Sequence, residues 1–368
     1  MELQDFNKTY KNHRILVAPL DWGLGHATRC IPIIKALIDN NCDVIIAAKG
    51  ATANLLQPEF PEIEIIELNG YAVQYSSSKA LLPFKIIGQV PKILSVIYKE
   101  HKWLKEIVKI YNIDAVISDN RFGLFCKSVP CIFITHQLLI KTGNNISERI
   151  AQKINYQFIK KYAACWVPDF ESKGIAGELS HPATLLQNIK YIGALSRFEK
   201  NNEEKKYDLL VLLSGPEPQR TIFENILLDQ LKSFSGVVLF VRGMPQANDK
   251  KKSSNIGVKI VDHLSAKELN KSIQQSKMVI SRSGYTTVMD LIKLGQKAIL
   301  VATPGQTEQE YLAKHLMQQK LFYCTTQEKF ELSQILERIK DFNFSVIERD
   351  MEQYKKVITQ FVQSLKKD

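Results

Sequence analysis

Short apolar runs alternate with helix-length segments along almost the whole of this chain, and that alternation constrains its fold more than any single motif. "RILVAPL" (14–20) reads as a buried strand and "IPIIKALIDN" (31–40) as a helix, and "DVIIAAK" (43–49) with "ATANLLQ" repeats the pair. "EIEIIEL" (62–68), "DAVISD" (114–119), "CIFITHQ" (131–137) and "CWVPD" (165–169) continue the strand series, with room between them for crossover helices. Strands that alternate with helices argue for parallel sheets covered on both faces.

Near 199–206 the pattern breaks into "EKNNEEKK", a charge-rich run with no apolar periodicity, and then restarts with "YDLLVLLSG". A chain of 368 residues suggests two domains. The reading is an α/β protein of two Rossmann-like, doubly wound domains with a cleft between them. Residues 1–198 form the N-terminal domain, 199–206 a linker and 207–345 the C-terminal domain. A terminal amphipathic helix over 346–368, with Val346, Met351, Tyr354, Ile358, Phe361 and Leu365 on one stripe, packs back on the body.

At 45% hydrophobic and 24% charged, the composition is that of a soluble globular protein. The polar opening "MELQDFNKTYKNH" does not look like a secretory signal. The most apolar window carries Pro83, Lys85, Pro91 and Lys92, too interrupted for the roughly 20 apolar residues that a membrane span requires. Six scattered cysteines fit reduced thiols in the cytoplasm.

Ligands of doubly wound sheets bind at the carboxyl ends of the strands, so the strand-to-helix loops hold the chemistry. "DWGLGHATR" (21–29) follows the first strand and opens a helix. Its glycines, Gly23 and Gly25, let backbone N–H groups approach a ligand at a positive helix end. It is not a dinucleotide fingerprint, because Thr28 stands at the third glycine position and the next strand ends in Lys49. His26 there is either a proton acceptor for a hydroxyl or a residue that packs at the helix start. "SRSGYTTVMD" (281–290) offers Ser283, Gly284 and the amides of Tyr285, Thr286 and Thr287 to an anion, with Asp290 one turn on for a ribose diol; a plain serine cap is the alternative. "TPGQTEQEYLA" (303–313) carries Gln309 and Glu310, and "LSGPEPQR" (213–220) carries Ser214, Gly215 and Arg220. Four such loops in two similar domains point to a phosphate-bearing ligand held across the cleft.

In "GLGHATRCIP" and "VISRSGYTTVMDLIKLGQKAILVATPGQTEQEYLAKHL", the chain resembles inverting two-domain glycosyltransferases of the GT-B fold. It is most similar to the branch containing the peptidoglycan lipid-intermediate N-acetylglucosaminyltransferase, MurG. The resemblance implies His26 as base. It implies a donor site from Gly25, Arg197, Ser214, Gly215, Val261, Leu264, Ser283, Gly284, Thr286, Thr287, Asp290, Gln309 and Glu310. Arg197 matches the phosphate-contacting arginine, "IVDHL" the strand edge at the uracil, and Gln309–Glu310 a sugar-contacting glutamine pair with an acid in second place. Pro216 replaces a serine of the family's glycine-rich loop. Only "THQ" (135–137) remains of its acceptor motif.

The expected reaction is sugar transfer from a nucleotide diphosphate donor, such as UDP-N-acetylglucosamine, to a hydroxyl, with inversion and without metal or cofactor. Asp119 and His136 end first-domain strands and orient the acceptor on this reading. A nucleotide-sugar hydrolase or epimerase uses the same site with different chemistry, and a non-catalytic nucleotide-sugar-binding protein uses it with none. The net charge is +11, and residues 79–109 hold seven lysines (79, 85, 92, 99, 102, 105, 109) against Glu100 and Glu106 among apolar side chains. That suits either a solvated helix face or a lipid-linked acceptor at the inner membrane surface. No nucleic-acid motif accompanies the charge, and no nucleic-acid partner is expected.

Overall fold

The computed structural model describes residues 12–71, 82–244 and 257–365, with the backbone alone over 82–90. Lys79 and the side chain of Lys85 in the basic stretch lie outside the described residues.

The N-terminal sheet is built from β1 (Arg14–Pro19), β2 (Asp43–Ala48), β3 (Ile65–Glu67), β4 (Ala115–Asp119), β5 (Cys131–Ile134), β6 (Ala164–Val167) and β7 (Ile189–Tyr191). All pairs are parallel, in the order β3-β2-β1-β4-β5-β6-β7. α1 (Leu24–Asp39), α2 (Ala51–Glu59), α3 (Leu82–Ile110) and α4 (Asn145–Ile159) connect the strands. Both faces are covered: Ile15, Val17 and Ile117 join one apolar layer beneath α1, while Leu16, Val116 and Phe133 join another with Leu104 of α3 and Tyr156 of α4. That two-sided burial is why the strands read as unbroken apolar runs.

The C-terminal sheet repeats the plan with β8 (Tyr207–Leu212), β9 (Val238–Val241), β10 (Val258–Val261), β11 (Ser276–Arg282), β12 (Ala298–Ala302) and β13 (Tyr323–Thr326). Its order is β10-β9-β8-β11-β12-β13, again parallel. The accompanying helices are α5 (Gln219–Gln230), α6 (Ala266–Gln274), α7 (Tyr285–Leu294), α8 (Thr307–Gln318) and α9 (Leu332–Lys340). Local signals set several boundaries. Ser265 and Glu268 close a capping box at α6, and Gly295 ends α7 in the left-handed conformation (φ 63°) that only glycine adopts without strain.

The segment 199–206, read from composition as a linker, is tied onto the end of α6. Gln274 accepts from the Asn201 amide at 2.6 Å, and Lys205 donates to the carbonyls of Gln274 and Ser276. The terminal helix α10 spans Gln353–Ser364, shorter than the stripe from Val346 suggested; Val346 itself is exposed in non-helical chain. Tyr354, Val357 and Ile358 are buried against the same apolar layer as α1, and Phe361 meets Trp166 of β6 edge-on at 5.3 Å. The chain thus returns from the second domain to the first. Each of those buried side chains contributes on the order of 1.5–3 kcal/mol, enough to hold a 12-residue helix that would be marginal alone.

In each sheet the strand order reverses beside the first strand, between β1 and β4 and between β8 and β11. The loops leaving those four strands therefore open onto the cleft.

Candidate active site at the interdomain cleft

β1 and β4 run side by side with Pro19 opposite Asp119, so the two loops diverge from one point. Gly23 makes the turn into α1 at φ 151° and ψ 157°, a region essentially reserved for glycine. No side chain caps the start of α1, and His26 sits on its first turn. His26 Nδ1 lies 3.0 Å from Asp119 Oδ2. Asp119 is fully buried, which by itself raises its pKa, but the Arg29 guanidinium and His26 outweigh burial and hold it below the ordinary carboxylate range. Arg29, one turn along α1, donates through Nη2 to Asp119 Oδ1, and that nitrogen is 2.9 Å from His26 Nδ1. We assign the imidazole proton to Nδ1, because an ionised carboxylate oxygen at hydrogen-bond distance favours a donor over a lone pair. Nε2, with no hydrogen-bond partner among the described residues, then carries the basic lone pair. The His26 side chain keeps 21% of its surface open to solvent.

The same arginine is linked to the second domain through His136. Arg29 Nη1 donates to His136 Nδ1 at 3.1 Å, and His136 Nε2 donates to Glu308 Oε1 at 2.8 Å. Gln137 Nε2 holds the other Glu308 oxygen. The His136 ring stacks on Tyr285 of α7 (centroids 4.2 Å apart, 13° between planes), and Tyr285 donates to the Pro168 carbonyl. Burial lowers the His136 pKa, and Glu308 recovers only part of that shift. With both ring nitrogens engaged, His136 is a bridge between the domains.

On the second domain, α7 begins at Gly284 with no side-chain cap. Gly284 has φ −70°, and a Cβ placed there meets nothing within 4 Å. Neither backbone strain nor crowding calls for glycine, so the space beside it is open for a ligand. Thr286 Oγ1 donates to the Gly25 carbonyl at 3.2 Å, so the two uncapped helix starts face each other across the cleft. Thr287 follows on the same turn. Ser283 is fully buried, and its hydroxyl donates to the Gln309 carbonyl.

Asp290 accepts from the Ser196 hydroxyl at 2.6 Å; burial pushes its pKa up to about 6, against the opposing pull of Arg197. Arg197 is the reverse case, a cation whose pKa burial lowers, with Asp290 and Glu59 offsetting the loss in part. Its buried Nε has no partner among the described residues, and such an atom is costly unless a ligand meets it. Ser214 and Gly215 are exposed after β8, with Gly215 at φ 105°, and the buried Thr303 hydroxyl beside Gly215 is also unpartnered among the described residues. Val261 ends β10 and Leu264 follows it, both half-buried.

Three residues of these loops are engaged by the protein itself. Arg220 does not face a ligand: it is buried and paired with Glu217 and Glu224. Gln309 spans its own loop, accepting from the Thr303 amide and donating to Gln306, and Glu310 accepts from the Gly305 amide. Glu308, to which the sequence reading gives no role, reaches His136 and Gln137 of the first domain, and its neighbours Thr307, which donates to the Lys141 carbonyl, and Tyr311, which accepts from the Glu178 amide, cross the cleft as well. Arg29 was missed with it. A spacing of three from His26 was its one signal, since residues three apart share a helix face; Glu308 looks like any acidic first-turn residue.

Comparison with known proteins agrees with this architecture. Residues 220–368 match the glycosyltransferase family 28 C-terminal domain. Over 308 residues the chain is 25% identical to the UDP-N-acetylglucosamine–N-acetylmuramyl-(pentapeptide) pyrophosphoryl-undecaprenol N-acetylglucosamine transferase of Bacillus pumilus, covering 79% of this chain and 80% of that one. MurG of Acinetobacter baumannii shares the fold at 14% identity and a TM-score of 0.53, covering 96% and 95% of the two chains. LpCGTa, solved in complex with UDP, does so at 11% identity and a TM-score of 0.59, with the same coverage. Domain match, relative and fold coincide: the chain is a glycosyltransferase of the GT-B fold resembling the MurG branch.

Proposed function

We propose that this enzyme transfers a sugar from a UDP-sugar, UDP-N-acetylglucosamine or a close analogue, to the hydroxyl of a lipid-linked acceptor, with inversion and without a metal. The observation that carries this reading is the His26–Asp119 pair set opposite the uncapped start of α7. His26 Nε2 takes the acceptor proton as the oxygen attacks the anomeric carbon, and Asp119 stabilises the imidazolium that forms. The diphosphate leaves on the other side, toward Gly284, Thr286, Thr287 and Arg197, whose dipoles and charge neutralise it. A base and a leaving-group site on opposite walls favour direct displacement, hence inversion. Asp290 holds the ribose, Val261 and Leu264 flank the base, and Ser214, Gly215, Ser283, Gln309 and Glu310 complete the donor pocket.

A lipid-linked acceptor is supported by the outer face of the first domain. α3 and α4 lie on one side of the sheet, meeting around Ile93, Ile97 and Phe158. α4 exposes Ile146, Ile150 and Ile154 (71%, 57% and 54%) in one stripe beside Arg149 and Lys153, and α3 exposes Leu94 and Tyr98 among its lysines. Apolar side chains ringed by cations suit an anionic bilayer surface. Among the described residues no helix is long and apolar enough to cross a membrane.

The test is UDP release from UDP-N-acetylglucosamine with prenyl-linked sugar acceptors in anionic vesicles, with the product anomer read by NMR. Acceptor-dependent release with inversion, lost in His26→Gln, is expected. Equal release with and without acceptor supports a hydrolase instead.

A further inference from the structure

The proposed base is the end of a longer line of side chains. Glu308 accepts from His136, His136 accepts from Arg29, and Arg29 donates to Asp119, the partner of His26. Four of the five come from the first domain, and Glu308 alone comes from the second. We propose that Glu308 is a positioning residue for the reaction: reaching across the cleft, it orients His136, shares the charge of Arg29 and thereby sets the basicity of His26 when the domains are together. This deepens the proposed function and rests on His26 being the base.

The physical argument concerns one cation with two anions. The Arg29 guanidinium sits between Asp119, which it touches, and Glu308, which it meets through the His136 ring. His136 can accept from Arg29 at Nδ1 because its proton lies on Nε2, pointing at Glu308. Removing the Glu308 charge leaves Arg29 offset by Asp119 alone, so the surroundings of His26 become more positive and its imidazolium less favoured. Parting the domains has the same effect, so the base reaches full strength only over a closed cleft. The charged and titratable groups facing this line are His26, Arg29 and Cys30 on α1, Asp119 on β4, His136 after β5, Tyr285 on α7 and Glu308 on α8. The Cys30 thiol and Tyr285 phenol are buried, which raises their pKa and keeps them neutral near pH 7, so the charge balance rests on the other five.

The experiment is an NMR titration of the ligand-free full chain labelled with ¹⁵N-histidine, among whose seven imidazoles His26 is identified by its loss in His26→Gln. Glu308→Gln is isosteric: its amide oxygen still accepts from His136 and its NH2 can donate to the Gln137 amide oxygen once that amide turns over, so a merely bracing role leaves the titration unmoved. The expected result is a His26 midpoint lower by roughly half a pH unit or more in Glu308→Gln, and close to wild type in Glu308→Asp, which keeps the charge. An unshifted midpoint in Glu308→Gln, or an equal fall in Glu308→Asp, overturns the proposal. UDP release by His26→Gln is measured in parallel: its persistence defeats the base assignment and leaves the titration result standing.

Discussion

His26 and Asp119 are 93 residues apart in sequence, yet His26 Nδ1 lies 3.0 Å from Asp119 Oδ2. Topology brings them together. β1 and β4 are neighbours although two strands and three helices intervene, and the loops leaving them start from register partners. A buried carboxylate held ionised beside an imidazole orients the ring and stabilises its charged form, the two services a general base needs.

The first prediction concerns that pair. Asp119→Asn retains shape but lets the side-chain amide face Nδ1, favouring the wrong tautomer, and it leaves Arg29 without its buried partner. Turnover should fall about 10²–10⁴-fold with little change in KM. Stability should fall as well, by about 3–5 kcal/mol if the loss resembles other broken buried pairs, measured by denaturant titration. Near-wild-type kcat removes Asp119 from the account.

Asp290 gives a pH dependence. Burial raises its pKa from 3.8 to about 6. Between those values the folded chain holds a proton that the unfolded chain has shed, so this group adds stability as pH falls through that window. Ligand binding should move the other way: a carboxylate that accepts from a ribose diol serves best when ionised, above pH about 6. UDP affinity measured by calorimetry should therefore drop between pH 7.5 and 5, and Asp290→Asn should abolish that dependence.

Gly284→Ala separates ligand contact from architecture. The open space at this position and its ordinary φ mean that the added methyl disturbs no neighbour. Stability should change by less than about 1 kcal/mol, while UDP affinity should fall at least about tenfold if a phosphate lies against the backbone there. Unchanged affinity would place the diphosphate elsewhere.

The exposed isoleucine stripe makes a prediction about membranes. Replacing Ile146, Ile150 and Ile154 together by Gln should remove binding to anionic vesicles in a sedimentation assay and leave the melting temperature unaffected, because none of the three is buried. Undiminished vesicle binding moves the membrane contact off α4.

Both sheets and the cleft were legible because parallel strands buried on two faces leave long apolar runs, as in "RILVAPL" and "KAILVAT". Short strands were not. β3 holds three residues of the run 62–68, and β7 was passed over, since a three-residue edge strand carries almost no pattern. The terminal helix begins at Gln353, seven residues beyond Val346, because Val346 continues the apolar stripe without joining the helix. Among the site residues, His26, Gly284 and Asp290 stood out by residue type and loop position. Arg29 and Glu308 did not, because their roles depend on partners 90 and 172 residues away, a relation that local sequence does not encode.

The most direct test of a nucleotide-sugar transferase with its base on the first domain and its donor site on the second is UDP binding by calorimetry. It would be run on the wild type, His26→Gln and Asp290→Ala, beside UDP release from UDP-N-acetylglucosamine. The account predicts UDP binding in the wild type and in His26→Gln, a loss of at least about tenfold, or ~1.4 kcal/mol, in Asp290→Ala, and loss of sugar transfer in both variants. Failure of the wild type to bind UDP, or equal affinity in Asp290→Ala, would contradict it.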